Sequence, residues 1–258
     1  MALNSVQLQR YANEGYLLLT GVLDEDCLSQ VEAELQGLQQ QASDGHVLEQ
    51  DGRTIRSIYC SHLKTGRLAE LVRDEHVLGP ALQLLGADAY LYQLKVNFKR
   101  AHTGDAWSWH QDFVYWNNED GLPSPSLVNA VIFLDDVTQE NGPIQLIAGS
   151  HTAGSLPPQS FTGQSTLREV ISGDRYTLSD AQVMQLREAG RQVQAIGKRG
   201  SVLYFHPNVA HSSSDNRSDQ DRKLCLITYC DVHNRPSLSR PEYLVGRDYL
   251  PLRPLAFS

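Results

Sequence analysis

The 258-residue sequence has no apolar run approaching the ~20 residues that span a bilayer. Its opening, MALNSVQLQRYANEG, lacks both a basic leader and an apolar signal core. No membrane association is expected, and a cytoplasmic location is the default. Basic charge is short as well, with 22 Lys and Arg against 30 Asp and Glu and a net charge of −8. Such a chain has no global field to draw in nucleic acid, and a small-molecule partner fits it better. Cysteine is sparse. Cys27, Cys60, Cys225 and Cys230 form no CxxC pair, which argues against a zinc knuckle or a disulfide framework. Cys225 and Cys230 sit in an apolar stretch and read as small core residues. Internal repeats and low-complexity tracts are absent.

Hydrophobic residues make up 41% of the chain, enough for one substantial core, and a single domain over 1–258 is expected. The first ~86 residues read as helical. Asp24 is a plausible N-cap, and Leu28, Val31, Leu35 and Leu38 follow at the spacing of one apolar helix face. Arg53 to His62 alternates and reads as a strand or an extended connection, and Arg67 to Leu85 is helical again. From Ala89 the texture changes to short β-branched and aromatic runs: YLYQLKVNF, WSWHQDF, LVNAVIFL, PIQLIA, SVLYFH and KLCLITYCDV. Strands of this kind with polar turns predict a mainly β sandwich or barrel. Thr152 to Arg199 interrupts them with a Gly/Ser-rich segment and a helix near Ser179 to Ala189; a lid and a plain surface excursion are both open readings.

The chemistry concentrates in WSWHQDF. His110 and Asp112 are two apart, so on a strand they share a face. His211 follows about a hundred residues later, at the end of SVLYFHPNVAH, where another strand of the same sheet would bring it alongside. Two histidines and a carboxylate make the facial triad that suits Fe(II) with open coordination positions. A lone HxD is also a common surface or turn pair. Arg222 opens the next strand eleven residues after His211, and a hairpin there would aim its guanidinium at a carboxylate near the metal, such as the distal end of 2-oxoglutarate. Taken alone, it would be an ordinary strand-edge charge. Ser213 would share the face of His211 and add a hydroxyl donor.

HxD, a distant HPxxxHxSxxN and that arginine together resemble the phytanoyl-CoA dioxygenase family, through most of the chain. WHQDFVYWNNEDGLP, Asn141 to Pro143 and Gly149 to His151 are similar to its ectoine-hydroxylase branch. RTIRSIYCSH, YQLKVNFKRA, ITYCDV and RPEYLVGRD resemble its free L-leucine 5-hydroxylases. The resemblance implies a double-stranded β-helix (jelly-roll) core with α-helices packed outside. It further implies Fe(II) held by His110, Asp112 and His211, with 2-oxoglutarate and O2 consumed to hydroxylate an unactivated C–H bond of a free amino acid. Asp112 itself implies hydroxylation, because the halogenating relatives lack this carboxylate. Gln93 and Asn97 match cosubstrate-pocket positions, and Arg240 matches an arginine expected to grip the substrate carboxylate. Tyr59, His62 and Trp116 match pocket positions, although aromatics near a sheet are often plain core. Two departures stand out. Ser212 replaces a glycine common in the family, and Thr103 stands where ectoine hydroxylases carry a basic residue, which argues against ectoine. His206 reads as structural or as a partner of the ligands, and His102 and His151 as non-ligands. Three other readings compete: hydroxylation of another amino acid or a small natural-product intermediate, a non-oxidative cupin-like metal enzyme, and a non-catalytic ligand-binding sandwich.

Overall fold

The computed structural model describes residues 1–41, 43–49, 51–159 and 174–255. In chain order these form α1 (Ser5–Glu14), β1 (Tyr16–Leu19), α2 (Glu25–Gln40), β2 (His46–Leu48), β3 (Ile55–Tyr59), α3 (Arg67–Leu71), α4 (Glu75–Leu85), β4 (Ala89–Lys99), β5 (Trp107–His110), α5 (Asp112–Asp120), β6 (Leu127–Phe133), β7 (Ile144–Ile147), α6 (Asp180–Ala189), β8 (Gln192–Ala195), β9 (Val202–Phe205), β10 (His211–Ser213) and β11 (Arg222–Asp231). Seven strands form one sheet in the order β1-β9-β6-β11-β4-β3-β2, and four form a second, β5-β10-β7-β8.

Strand alternation decides what each face of the large sheet meets. Val128, Ala130 and Ile132 of β6, Leu94, Val96 and Phe98 of β4, and Cys225, Ile227 and Tyr229 of β11 point outward. They pack with Leu28, Val31 and Leu35 of α2 and Val77, Leu78 and Ala81 of α4. The intervening Val131, Phe133, Leu203, Phe205 and Leu224 point inward and meet Ile144 and Leu146 of the small sheet. With both faces covered, β6 and β9 are buried at every position, and apart from Asn129 in β6 they read as apolar runs. Two stacked antiparallel sheets with helices on the outer face are the expected jelly-roll. The expected helix start at Asp24 is present, its side chain accepting from Cys27 N at 2.9 Å. Ser179 and Gln182 form a reciprocal cap on α6.

Three expectations need correction. The first ~86 residues are not wholly helical: Tyr16–Leu19 follows the left-handed Gly15 cap of α1 and pairs with β9, and β2 adds an edge beyond β3, which is the strand expected within Arg53 to His62. WSWHQDF is not one strand. β5 stops at His110, and Asp112 opens a helix whose Phe113, Val114 and Trp116 are buried and which ends at left-handed Gly121. The stretch from His211 to Arg222 is no hairpin, because β10 belongs to the small sheet and β11 to the large one. Arg222 therefore faces the histidines across the gap between sheets. Within the stretch 152–199, residues 160–173 lie outside the described set, so the lid reading is left with its flanks alone.

Candidate metal centre and cosubstrate cavity

β10 pairs with β5 so that His211 and His110 are register partners. Their rings stand 4.1 Å apart, centroid to centroid. The first residue of α5 brings Asp112 to the same point: Oδ1 is 3.7 Å from His110 Nε2, and Oδ2 is 3.8 Å from His211 Nε2. One potential ligand atom from each of the three lies within 4.8 Å of the others. The strand-face argument thus has the right neighbours but the wrong geometry, since Asp112 reaches the site from a helix terminus.

Both imidazoles are set to present Nε2. His110 Nδ1 lies 2.7 Å from the carbonyl of Ser108, and His211 Nδ1 lies 3.0 Å from that of Val209. A carbonyl only accepts, so each Nδ1 is the donor in its bond and each Nε2 is the nitrogen turned toward the cluster. Burial, reinforced by His211 and opposed by Asp112, pushes His110 down to about 4. It is neutral at physiological pH, the form that binds metal. Two Nε2 atoms and a carboxylate fit Fe(II) as a two-histidine, one-carboxylate set.

A cavity runs from this cluster to Arg222, lined also by Lys95, Asn97, Ser213 and Leu224. Arg222 is buried and lowered to about 10 by that burial. Its Nη2 donates to the carbonyl of Gly142 at 2.6 Å. This places the NGP segment behind it as a backstop. Lys99, the cross-strand partner of Arg222, donates to Ser213 Oγ at 2.8 Å and to the Ser214 carbonyl. Burial first, then Arg222 and Arg56, lower Lys99 to about 6. Lys95 projects into the middle of the cavity over the Tyr59 ring, 5.4 Å from its centroid, and makes no hydrogen bond among the described residues. Burial lowers its pKa, and Asp112 opposes that shift. Arg222 and the two lysines make this a basic pocket, and a dicarboxylate such as 2-oxoglutarate beside them would favour the charged form of both lysines.

The remaining candidates are scattered. Asn97 lines the cavity and accepts from Ser57 Oγ at 2.8 Å, whereas Gln93, on the same face of β4, donates to the Leu244 carbonyl at 3.3 Å. Tyr59 and Trp116 are buried in one aromatic cluster, where Trp116 packs edge-on against Tyr92 at 5.2 Å. Arg240 is bound by two acids at the end of α5, Glu119 at 2.6 Å and Asp120 at 2.8 Å. His62 is exposed and outside the cavity lining. His206 packs against His151 with ring centroids 5.4 Å apart, away from the triad. Sequence reasoning passed over Lys95, Lys99 and Asn129. The signal was present in YQLKVNFK, where Gln93, Lys95, Asn97 and Lys99 alternate with Leu94, Val96 and Phe98.

Comparison with known proteins agrees with this chemistry. Residues 11–224 match the model of the family described as Phytanoyl-CoA dioxygenase (PhyH). The L-proline trans-4-hydroxylase of Streptomyces griseoviridis is 38% identical over 251 residues, covering 95% of this chain and 94% of that protein. The ectoine dioxygenase of Nocardia farcinica is 30% identical over 264 residues, covering 96% of this chain and 87% of its own. The crystal structure of EctD from S. alaskensis with bound Fe superposes with a TM-score of 0.83 at 25% identity, covering 99% of this chain and 88% of that one. The matched segment holds both histidines, Asp112 and Arg222. The chain belongs to the phytanoyl-CoA dioxygenase family and is a 2-oxoglutarate-dependent non-haem iron dioxygenase that uses Fe(II), 2-oxoglutarate and O2.

Proposed function

We propose that this enzyme acts as a single cytoplasmic domain that hydroxylates an unactivated C–H bond of a free amino acid, with L-leucine at C5 as the first substrate to test. The observation that carries the reading is the cavity itself: three candidate ligands, two of them histidines, at one end, and a buried arginine with a buried lysine beside it at the other. Bound there, Fe(II) and 2-oxoglutarate supply the oxidising power that inserts one atom of O2 into the substrate, while the second oxygen leaves in succinate with release of CO2.

The protein's part is to hold and aim. His110, Asp112 and His211 hold the iron. Arg222, with Ser213, holds the distal carboxylate of 2-oxoglutarate, and Asn97 and Gln93 belong to the same pocket. Because Lys99 donates to Ser213 Oγ, the hydroxyl proton of Ser213 is free to turn toward that carboxylate. Substrate contacts are assigned to Arg240, Tyr59, His62 and Trp116 from the leucine-hydroxylase resemblance. Of these, Tyr59 is tied to the cavity through Lys95. Arg240 is already paired with Glu119 and Asp120, and an α-amino acid suits an exchange there. Its carboxylate replaces Glu119 on Arg240, and its ammonium replaces Arg240 on Glu119, leaving no buried charge unpaired.

L-proline is the second reading, favoured by the 38% identity to a proline hydroxylase over nearly the full length of both chains. Anaerobic loading with Fe(II) and 2-oxoglutarate, followed by air and a panel of leucine, isoleucine, proline and ectoine, tests both. Succinate that rises with leucine, with a product heavier by one oxygen, supports the first reading. The same result with proline replaces it. Substrate-independent slow succinate keeps the oxygenase class and sends the search toward carrier-bound or other small molecules.

A further inference from the structure

β6 reads LVNAVIF and is buried along its whole length. Its one polar side chain, Asn129, is 4% exposed and sits in the centre of the large sheet, paired with Thr228 of β11 on one side and Phe205 of β9 on the other. An amide in such a place is costly unless its donors and acceptor are used. Here they are. Asn129 Nδ2 donates to Asp112 Oδ2 at 2.8 Å, and Asn129 Oδ1 accepts from Thr228 Oγ1 at 2.7 Å. The directions are forced by the partners: an ionised carboxylate only accepts, so the amide nitrogen must face Asp112, and the amide oxygen is left for the Thr228 hydroxyl.

We propose that Asn129 is a positioning residue for the metal centre: it fixes the carboxylate of Asp112 so that one oxygen is committed to the amide and the other is left for the metal, and Thr228 locks the amide in that orientation. The inference rests on the reading of His110, Asp112 and His211 as the iron ligands. The arrangement has a function beyond rigidity. A carboxylate free to rotate can offer both oxygens to a cation, and a two-histidine, one-carboxylate site works only while its remaining positions stay open to cosubstrate and oxygen. With Oδ2 engaged by Asn129, Oδ1 is the oxygen that faces His110. Partners behind metal ligands are typically worth about 10–100-fold in metal affinity.

Three variants test this, each read by anaerobic titration with Fe(II) and with Co(II), and by the charge-transfer absorption of the Fe(II)–2-oxoglutarate complex. Asn129→Leu keeps the number of side-chain heavy atoms and removes both hydrogen bonds; about 10–100-fold weaker metal binding and a shifted absorption band are expected. Thr228→Val removes only the hydroxyl and should weaken binding by a smaller factor, whereas Thr228→Ser keeps the donor and should behave as the parent. Thermal unfolding of the metal-free proteins checks the fold, and if Asn129→Leu does not fold, the valine and serine variants decide the matter alone. Parent-like affinity and spectrum in a folded Asn129→Leu, or in Thr228→Val, overturns the proposal. A parent protein that binds neither metal removes the ligand reading instead.

Discussion

His110 and His211 are register partners across the β5–β10 pair, and each is oriented by a hydrogen bond from its Nδ1 to the backbone carbonyl two residues earlier. The same local device is used twice, so the two Nε2 atoms converge by backbone geometry rather than by chance packing. His211→Ala therefore removes a preset donor without removing the other. Fe(II) affinity should fall by more than the roughly 10–100-fold typical of outer partners, and succinate formation should cease. Calorimetric titration with Fe(II) under argon checks the first, and a variant that still binds iron as tightly as the parent would exclude His211 as a ligand.

Lys99 gives the cosubstrate cavity a pH signature. Held at about 6 by burial and by Arg222, it is largely neutral at pH 8 in the unliganded protein. Its folded value lies below the ordinary lysine value of 10.5, so bringing a dianion beside it favours the charged form and raises it again. Binding of 2-oxoglutarate at pH 8 should take up a proton. Calorimetry of the Fe(II)-loaded protein in buffers of different ionisation enthalpy measures this directly, with the histidine ligands held neutral by the metal. Equal heats in all buffers would mean that Lys99 does not sense the ligand.

How far the sequence could be read follows from the same strand. The alternation in YQLKVNFK is legible as a strand with one apolar and one polar face, and the usual inference sends the polar face to water. In this protein the apolar face of β4 packs on helices and the polar face looks into the cavity. Which of the two happens depends on a second sheet assembled from strands spread between Trp107 and Ser213, so Lys95 and Lys99 could not be recognised locally. Asp112 shows the converse. HxD spacing pointed to the correct cluster, but the strand ends at the histidine, and Asp112 opens a helix that buries Phe113, Val114 and Trp116 and closes at Gly121. Arg222 was found from its distance to His211, although the hairpin invoked for it is a crossing between sheets.

His206 predicts how stability responds to acid. Burial, with His151 beside it, lowers His206 to about 4, against ~6.5 in an unfolded chain. Between those values the unfolded state holds the extra proton, so the contribution of His206 is intact above pH ~6.5 and declines as the pH falls toward about 4. Below that both states are protonated and the loss stops. Urea melts between pH 8 and 4 should show a shallower decline for His206→Asn than for the parent; parallel curves would assign the acid sensitivity to other groups.

Gly142 is the hinge between stability and cosubstrate binding. Its φ is +78°, and a Cβ there would stand 2.4 Å from Lys99 Cδ and 2.6 Å from the Ser214 carbonyl. The first is a flexible side chain but the second is backbone, so alanine combines left-handed strain with a clash that has no easy exit. Gly142→Ala should cost about 1–3 kcal/mol of stability. Since Arg222 Nη2 rests on the Gly142 carbonyl, the same change should weaken 2-oxoglutarate binding in the fraction that folds. Denaturant melts and a cosubstrate titration at low temperature separate the two effects, and a variant with parent-like values in both would show that the turn yields freely.

The exchange assigned to Arg240 makes Glu119 the more telling position. Glu119 accepts from Arg240 Nη2 and from Tyr176, and these donors hold its carboxyl below the usual range against the opposing effect of burial. Glu119→Gln keeps the shape and the contact to Arg240 but removes the charge that a substrate ammonium would need. If the α-amino group docks there, KM for the amino acid should rise by roughly 10-fold or more, as for a lost charge-assisted hydrogen bond of about 1.5–3 kcal/mol. Affinity for 2-oxoglutarate should stay unchanged. Arg240→Ala would instead strand Asp120, whose side chain is 2% exposed and whose other donor is Tyr92, so it should lose stability as well as affinity. An unchanged KM in Glu119→Gln, together with full amino-acid affinity in a folded Arg240→Ala, would move the substrate clamp elsewhere, and Lys95, which lines the cavity with the triad, is the next side chain to test.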